Sequence, residues 1–311
     1  MTEKRRYTGQ QSLIEGLLDG DEFALSRAIS RIENRKPGYR NIVDILMDYG
    51  GTARTIGITG PPGAGKSTLV DRLIERYRER GETVGVVAVD PASPYTNGSI
   101  LGDRIRQTAL HDDEGVFFRS MSSRNRSGGL AAATYDIIRA FDAFGKDVIL
   151  VETVGAGQSE VEVVRATDTV CVVLFPGAGD DIQATKAGIL EIADAFAVNK
   201  ADIDGATNVT MRLKEMLELG SDEGWRPPIV ETVATEGDGI KELISAFNEH
   251  MGHLQVEGQL HRRRQKQFKH ETELHARECL ISRLNAAIAE LDLEETEISP
   301  HKAADILLED F

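Results

Sequence analysis

Between residues 55 and 250, short apolar runs alternate with longer segments whose apolar positions recur at helical spacing. The runs are 55–59, Thr83–Val89, Val116–Phe118, Val148–Val151, Thr169–Phe175, Ala195–Val198 and Ile229–Val233. Short and rich in Val and Ile, they read as strands covered on both faces. Helical segments between them predict an α/β fold with a doubly wound, mostly parallel sheet. In such a sheet, ligands gather at the carboxyl ends of the strands.

The flanks differ from this core. In residues 10–50, Leu13, Ile14, Leu17 and Leu18 recur at helical spacing, and Gly20 can end that segment. Asp21 is a candidate N-cap for a second helix carrying Leu25, Ala28, Ile29 and Ile32. A third follows Pro37-Gly38, with Ile42, Ile45 and Leu46 on one face. From residue 256 the chain becomes a long polar helix. Leu274, Ile281 and Ile288, with Leu284 and Leu291, form a seven-residue stripe that Arg277 interrupts. The predicted organisation is an N-terminal helical extension at 1–50, a core at 51–255 and a C-terminal helical arm at 256–311. The stripe makes the arm a candidate seam for self-association.

Charge narrows the function. Acidic residues outnumber basic ones 51 to 36, giving a formal net charge of -15, which argues against a nucleic-acid surface. The basic residues are mostly Arg, and an acidic, Lys-poor surface suits a protein dissolved in concentrated salt. No apolar stretch approaches the ~20 residues of a membrane span. Met1–Tyr7 lacks the apolar segment of a secretory signal. Cys171 and Cys279 lie far apart with no C-x-x-C pair, so neither a disulfide scaffold nor a thiolate metal site is expected. A reducing, cytoplasmic setting is the expectation.

The chemistry starts at Gly60-Pro61-Pro62-Gly63-Ala64-Gly65-Lys66-Ser67, a complete phosphate-binding loop between a predicted strand and a helix that opens with Thr68. Glycines let backbone N–H groups turn inward around phosphate oxygens, and the helix N-terminus adds partial positive charge. Lys66 is expected to reach the β- and γ-phosphates and Ser67 to ligate Mg²⁺. Asn199-Lys200-Ala201-Asp202 then stands at a strand end. The Asp202 carboxylate suits guanine N1–H and the exocyclic amine; adenine presents the opposite pattern, so GTP and GDP are the expected nucleotides. Val233, Ala234 and Thr235 form the candidate second loop on the guanine side.

Three acids at predicted strand ends or in loops, Asp90, Asp103 and Glu152, could complete a Mg²⁺ set with Ser67; each could equally cap a helix. Glu152 opens Glu152-Thr153-Val154-Gly155, and the Gly155 N–H could sense a γ-phosphate. Gln158 is the candidate to orient an attacking water. With no stronger base in sight, hydrolysis by the chain alone is expected to be slow. Arg104, Arg106, Arg119 and Arg124 are further candidates for phosphate contact. Pro176–Asp181 leaves its strand through glycines and could form a mobile loop. His250, His253, His261, His270 and His275 match no zinc spacing and are expected on a solvated helix face.

The combination of Gly60–Ser67, Asp90–Pro94, Ile100–Asp103, Arg119–Met121, Gly128–Leu130, Glu152–Glu160, Pro176–Asp180 and Glu191–Asp194 ahead of Asn199–Asp202 resembles the MeaB/ArgK family. The resemblance covers about residues 10–250. It implies a homodimeric GTPase, joined through C-terminal arms, that acts as chaperone to an adenosylcobalamin-dependent methylmalonyl-CoA mutase or related acyl-CoA mutase. It places Asp90, Asp103 and Glu152 at switch and magnesium positions, and Gly177–Asp181 at a segment that senses the partner. The chain has no D-x-H-x-x-G cobalamin signature, so it is not itself the mutase. The alternatives are a nickel-insertion GTPase, which would want a His-rich or Cys-bearing tract near the loop, and a small-molecule kinase linked to basic amino-acid transport.

Overall fold

A computed structural model describes residues 7, 9–90, 113–122, 129–153, 161–162, 164–177, 190–218, 224–290 and 299–309. Each of the seven apolar runs becomes a strand: β1 (Arg54–Thr59), β2 (Val84–Asp90), β3 (Val116–Ser122), β4 (Val148–Thr153), β5 (Thr169–Leu174), β6 (Ala195–Asn199) and β7 (Ile229–Thr232). They form one sheet in the order β3-β2-β4-β1-β5-β6-β7, and every pairing is parallel. The central strands β4, β5 and β6 are buried along their whole length. The edge strand β7 departs from the expected two-sided burial: Ile229 and Val230 are half-buried and Glu231 is exposed, because no strand pairs beyond it among the described residues.

Alternate side chains of each strand enter different layers. Ile56, Ile58, Leu150 and Val173 pack against α4 (Lys66–Glu79) and α7 (Ile240–Gln255). On the opposite face, Val87, Val89, Ile149 and Val151 meet α5 (Gly129–Phe144), and Val172 and Phe196 meet α6 (Ala206–Glu218). At about 25 cal/mol per Å² of apolar surface, these two faces are the main source of folding free energy.

The N-terminal helices α1 (Gln10–Leu18), α2 (Glu22–Glu33) and α3 (Tyr39–Leu46) share the α5 layer. Gly20 takes φ +84° between the first two, and Asp21 caps α2 by accepting from Phe23 N at 2.8 Å and Ala24 N at 3.2 Å. Asp142 of α5 accepts from the backbone N–H groups of Gly51, Thr52 and Ala53, tying the entry to β1 to the same layer.

The helix α8 (Gln259–Glu290) follows α7, and α9 (Pro300–Glu309) comes last among the described residues. The predicted stripe divides. Leu274 is buried in the chain's own core, whereas Ile281 and Ile288 are exposed. The first position of the stripe is therefore spent within the chain, and only the later positions remain for a partner.

Candidate functional site

The carboxyl edge of the sheet carries the first cluster. β1 ends at Thr59, and the chain turns through Gly60–Gly65 into α4, which starts at Lys66. Gly60 has φ +144° and Gly65 φ +83°. A Cβ at Gly60 would overlap the Val173 carbonyl oxygen, and one at Gly65 would overlap the Asn199 amide. Both positions need glycine for backbone angle and for space. The buried Lys66 ammonium donates to the carbonyls of Gly60 at 2.8 Å and Pro61 at 3.0 Å, so it lies along the loop.

Glu152 sits at the end of β4, in register with Ile58 of β1, and accepts a hydrogen bond from the Ser67 hydroxyl. Beside it, Thr153 Oγ1 donates to Thr59 Oγ1 at 2.9 Å. A hydroxyl and a carboxylate at a helix N-terminus are hard oxygen donors, which fit Mg²⁺ and disfavour soft metals. Asp90 ends β2 at the same edge: its neighbour Val89 pairs with Thr153. The Asp90 side chain, Asp103, Gly155, Gln158, Arg104, Arg106, Arg124 and the loop from Ala178 to Asp181 lie outside the described residues.

The neighbouring strand ends form the second half of the cluster. Asn199, 2% exposed, closes β6. Its Nδ2 donates to the Ala64 carbonyl at 2.8 Å, while its Oδ1 accepts from Thr232 Oγ1 at 3.2 Å and Ala234 N at 3.1 Å. One amide thus ties the phosphate loop, β6 and the loop after β7 together. Lys200 takes φ +58°, and its ammonium stands 4.9 Å from the Phe175 ring centroid. Asp202 is exposed at the turn that follows. Val233 N donates to the Asp238 carbonyl at 3.1 Å, closing the turn that holds Ala234 and Thr235.

Arg72 completes this arrangement and carries no motif. From α4 its Nε donates to the Ala234 carbonyl at 3.1 Å and its Nη2 to the Thr235 carbonyl at 2.8 Å. The helix that opens at Lys66 therefore also holds the loop after β7. The one signal available in the sequence was its place on that helix.

The amino edge carries a different chemistry. Asp194, just before β6, accepts from Arg263 Nη1 at 3.0 Å and Nη2 at 2.6 Å, and from Val170 N at 2.8 Å. His250 Nε2 stands 3.2 Å from its Oδ1. Burial works against the charge on Asp194, but His250 and Arg263 outweigh it and hold the carboxyl below its ordinary value. Asp168, just before β5, takes Arg264 Nε at 3.1 Å and Nη2 at 2.8 Å. These fork contacts root α8 on the sheet.

A third cluster joins α8 to α5 and to the turn after α2. His275 Nε2 lies 3.5 Å from both Asp136 Oδ1 and Glu271 Oε1. Hydrogen bonds that the imidazolium donates to those carboxylates, opposed by burial, push His275 up to about 9. Arg139 pairs with Glu271, and Arg35 pairs with Asp136 at 2.6 Å and Glu278 at 2.8 Å. Asp136, Glu271 and His275 could together offer three ligand atoms, but the two arginines already neutralise them, so the group reads as an ion network.

Two sequence expectations are corrected here. His250 is 1% exposed rather than solvated, because Thr169, Asp194 and Trp225 surround its ring. His275 is likewise engaged with α5. Arg119 pairs with Glu33 of α2, so its charge serves the fold rather than a phosphate.

Comparison with known proteins shows the family of the chain. The family model described as methylmalonyl Co-A mutase-associated GTPase MeaB matches residues 25–289. A protein of Pyrococcus abyssi whose name gives it as a GTPase is 46% identical over 309 residues, covering 96% of this chain and 95% of that protein. The mouse protein named methylmalonic aciduria type A homolog, mitochondrial, is 32% identical over 326 residues, covering 96% of this chain and 79% of its own. Among solved structures, one described as LAO/AO transport system kinase aligns with a TM-score of 0.73 and 27% identity, covering 98% of this chain and 99% of that one.

Proposed function

The chain belongs to the MeaB family of GTPases, and on that premise we propose that it works as a GTP-driven chaperone of an adenosylcobalamin-dependent methylmalonyl-CoA mutase, or of a related acyl-CoA mutase. In this reading it gates cofactor delivery to the mutase and protects the enzyme between deliveries. Two names support it: the family model is described as mutase-associated, and the mouse relative carries the name of a methylmalonic aciduria.

The observation that carries the nucleotide part is the Asn199 junction. A single buried amide holds the phosphate loop at Ala64 and the guanine-side loop at Ala234 in fixed relation. Phosphate grip and base recognition then act as one pocket. Gly60–Thr68 would cradle the phosphates, with Lys66 swinging from its carbonyl contacts onto the β- and γ-oxygens. Lys200, Asp202 and the turn at Val233–Thr235 would read the base. Ser67 and Glu152, with Asp90 and Asp103, are the residues assigned to Mg²⁺, whose contribution is to neutralise charge developing on the phosphates. Gln158 is assigned to the attacking water. A homodimer is part of the proposal, and the exposed Ile281 and Ile288 are the positions left for its seam.

The test is steady-state GTP hydrolysis by the chain alone and with purified methylmalonyl-CoA mutase. Slow turnover that rises at least tenfold with mutase supports the reading. No change in rate, together with no nucleotide-dependent complex, overturns the chaperone role. A second reading, phosphoryl transfer to a basic amino acid, is favoured by the name of the aligned structure. Labelled phosphate appearing on arginine instead of in solution would establish it.

A further inference from the structure

A second cavity lies at the amino edge of the sheet, at the opposite end of the strands from the phosphate loop. It encloses about 690 Å³ between α8, the end of α7 and the segment that leads into β5. That volume suits a molecule the size of a nucleotide or a sugar bisphosphate.

Its lining is cationic. Arg165, Arg262 and Lys266 face it, and none of them forms an ion pair among the described residues. Arg263 also lines it, but that charge is spent on Asp194. Glu191 is the carboxylate of the lining that meets no cation among the described residues. A positive surplus is unexpected in a chain of net charge -15, and a concave wall concentrates its field. Val170 and Leu254 supply an apolar floor.

The cavity also has polar groups in its wall that the fold does not use. Tyr135 is 6% exposed, and its hydroxyl has no hydrogen-bond partner among the described residues. The same is true of His270 Nε2. Leaving such an atom unpaired costs about 1–3 kcal/mol, so native proteins seldom do so without a reason.

We propose that this cavity binds a phosphorylated small molecule. Its phosphates sit on Arg165, Arg262 and Lys266, where guanidinium forks match phosphate oxygens. Its less polar body lies on Val170 and Leu254, and its oxygens satisfy Tyr135 and His270. Arg165 belongs to the core, whereas Arg262 and Lys266 belong to α8. An occupant therefore pins the root of α8 to the sheet. Occupancy is compatible with a nucleotide at the carboxyl edge, and the inference does not depend on the mutase reading.

The experiment uses the full chain loaded with GDP and Mg²⁺, so that the phosphate loop is filled. Fructose 1,6-bisphosphate is the probe, titrated by calorimetry at moderate ionic strength. One saturable site per chain is expected, with affinity that falls as salt is added. The double variant Arg262→Glu, Lys266→Glu should bind at least tenfold more weakly. Both side chains are exposed, so folding and GDP affinity should be unchanged. Glucarate, which carries carboxylates on a six-carbon chain, should bind at least tenfold more weakly than the bisphosphate. No saturable binding of the probe, or binding that ignores the charge reversal, overturns the site. Equal affinity for glucarate overturns its assignment to phosphate.

Discussion

The two edges of one sheet solve different problems. At the carboxyl edge the chain leaves its strands through glycine turns, and a buried amide and single hydroxyl and carboxyl groups tie the loops together. At the amino edge, carboxylates meet arginines of a distant helix, and the charges are consumed within the fold. Lys66, Glu152 and Asn199 at the first edge are held by hydrogen bonds to carbonyl, hydroxyl and amide groups. Groups kept for architecture are neutralised by each other. The cavity beside α8 stands out because it sits at the architectural edge with cations still to spend.

Substitutions at the two edges should therefore fail in different ways. The largest effect is expected from Lys66→Ala, which should lower GTP turnover by about 10²–10³-fold with the thermal midpoint unchanged. Wild-type turnover in that variant would refute the phosphate-loop assignment. Asp202→Asn should weaken GTP binding by about 10²-fold, the cost of losing a charge-assisted pair, and should admit xanthosine triphosphate. Competition titration of the two nucleotides measures both.

The amino edge should show the reverse. Asp194→Ala leaves Arg263 and His250 without their buried counter-charge and should cost about 3 kcal/mol of stability. Denaturant midpoints measure that loss, and GDP affinity of the folded variant should stay at the wild-type value. If Asp194→Ala instead spares stability and abolishes nucleotide binding, the division between the edges is wrong.

Arg72→Ala tests the join within the carboxyl edge. It removes two hydrogen bonds to the guanine-side loop and should weaken GDP by about tenfold, with inorganic pyrophosphate binding little changed. The smallest effect concerns pH. His275 gains stability from its protonated form, because its folded value, about 9, lies above the ordinary 6.5. That contribution is complete below pH 6.5 and is lost as pH rises through about 9. His275→Gln should flatten the fall in thermal midpoint between neutral and alkaline pH.

What the sequence revealed follows the same division. All seven strands were legible because burial imposes apolar runs whose length and composition are local properties. Gly60–Ser67 and Asn199–Asp202 stood out because each is several residues in a row, and the fold brings the two to one edge of the sheet. The Asp194–Arg263 and Asp168–Arg264 forks were not, since the partners lie 69 and 96 residues apart and each acid or arginine looks ordinary alone. His250 misled for the same reason: its helix has a polar face, and only the fold shows Thr169 and Asp194 against the ring. Arg72 was hidden because it reads backbone carbonyls, which leave no trace in residue type. The exposed stripe at Ile281 and Ile288 was legible as a pattern, but Leu274 had already turned inward.

The most direct test of the carboxyl-edge pocket is calorimetric titration of the purified chain with GDP and ADP in the presence of Mg²⁺. One GDP per chain, bound at least 10²-fold more tightly than ADP, is the predicted result for a pocket that grips phosphate and reads guanine. Equal affinity for the two nucleotides, or no heat with either, would contradict it.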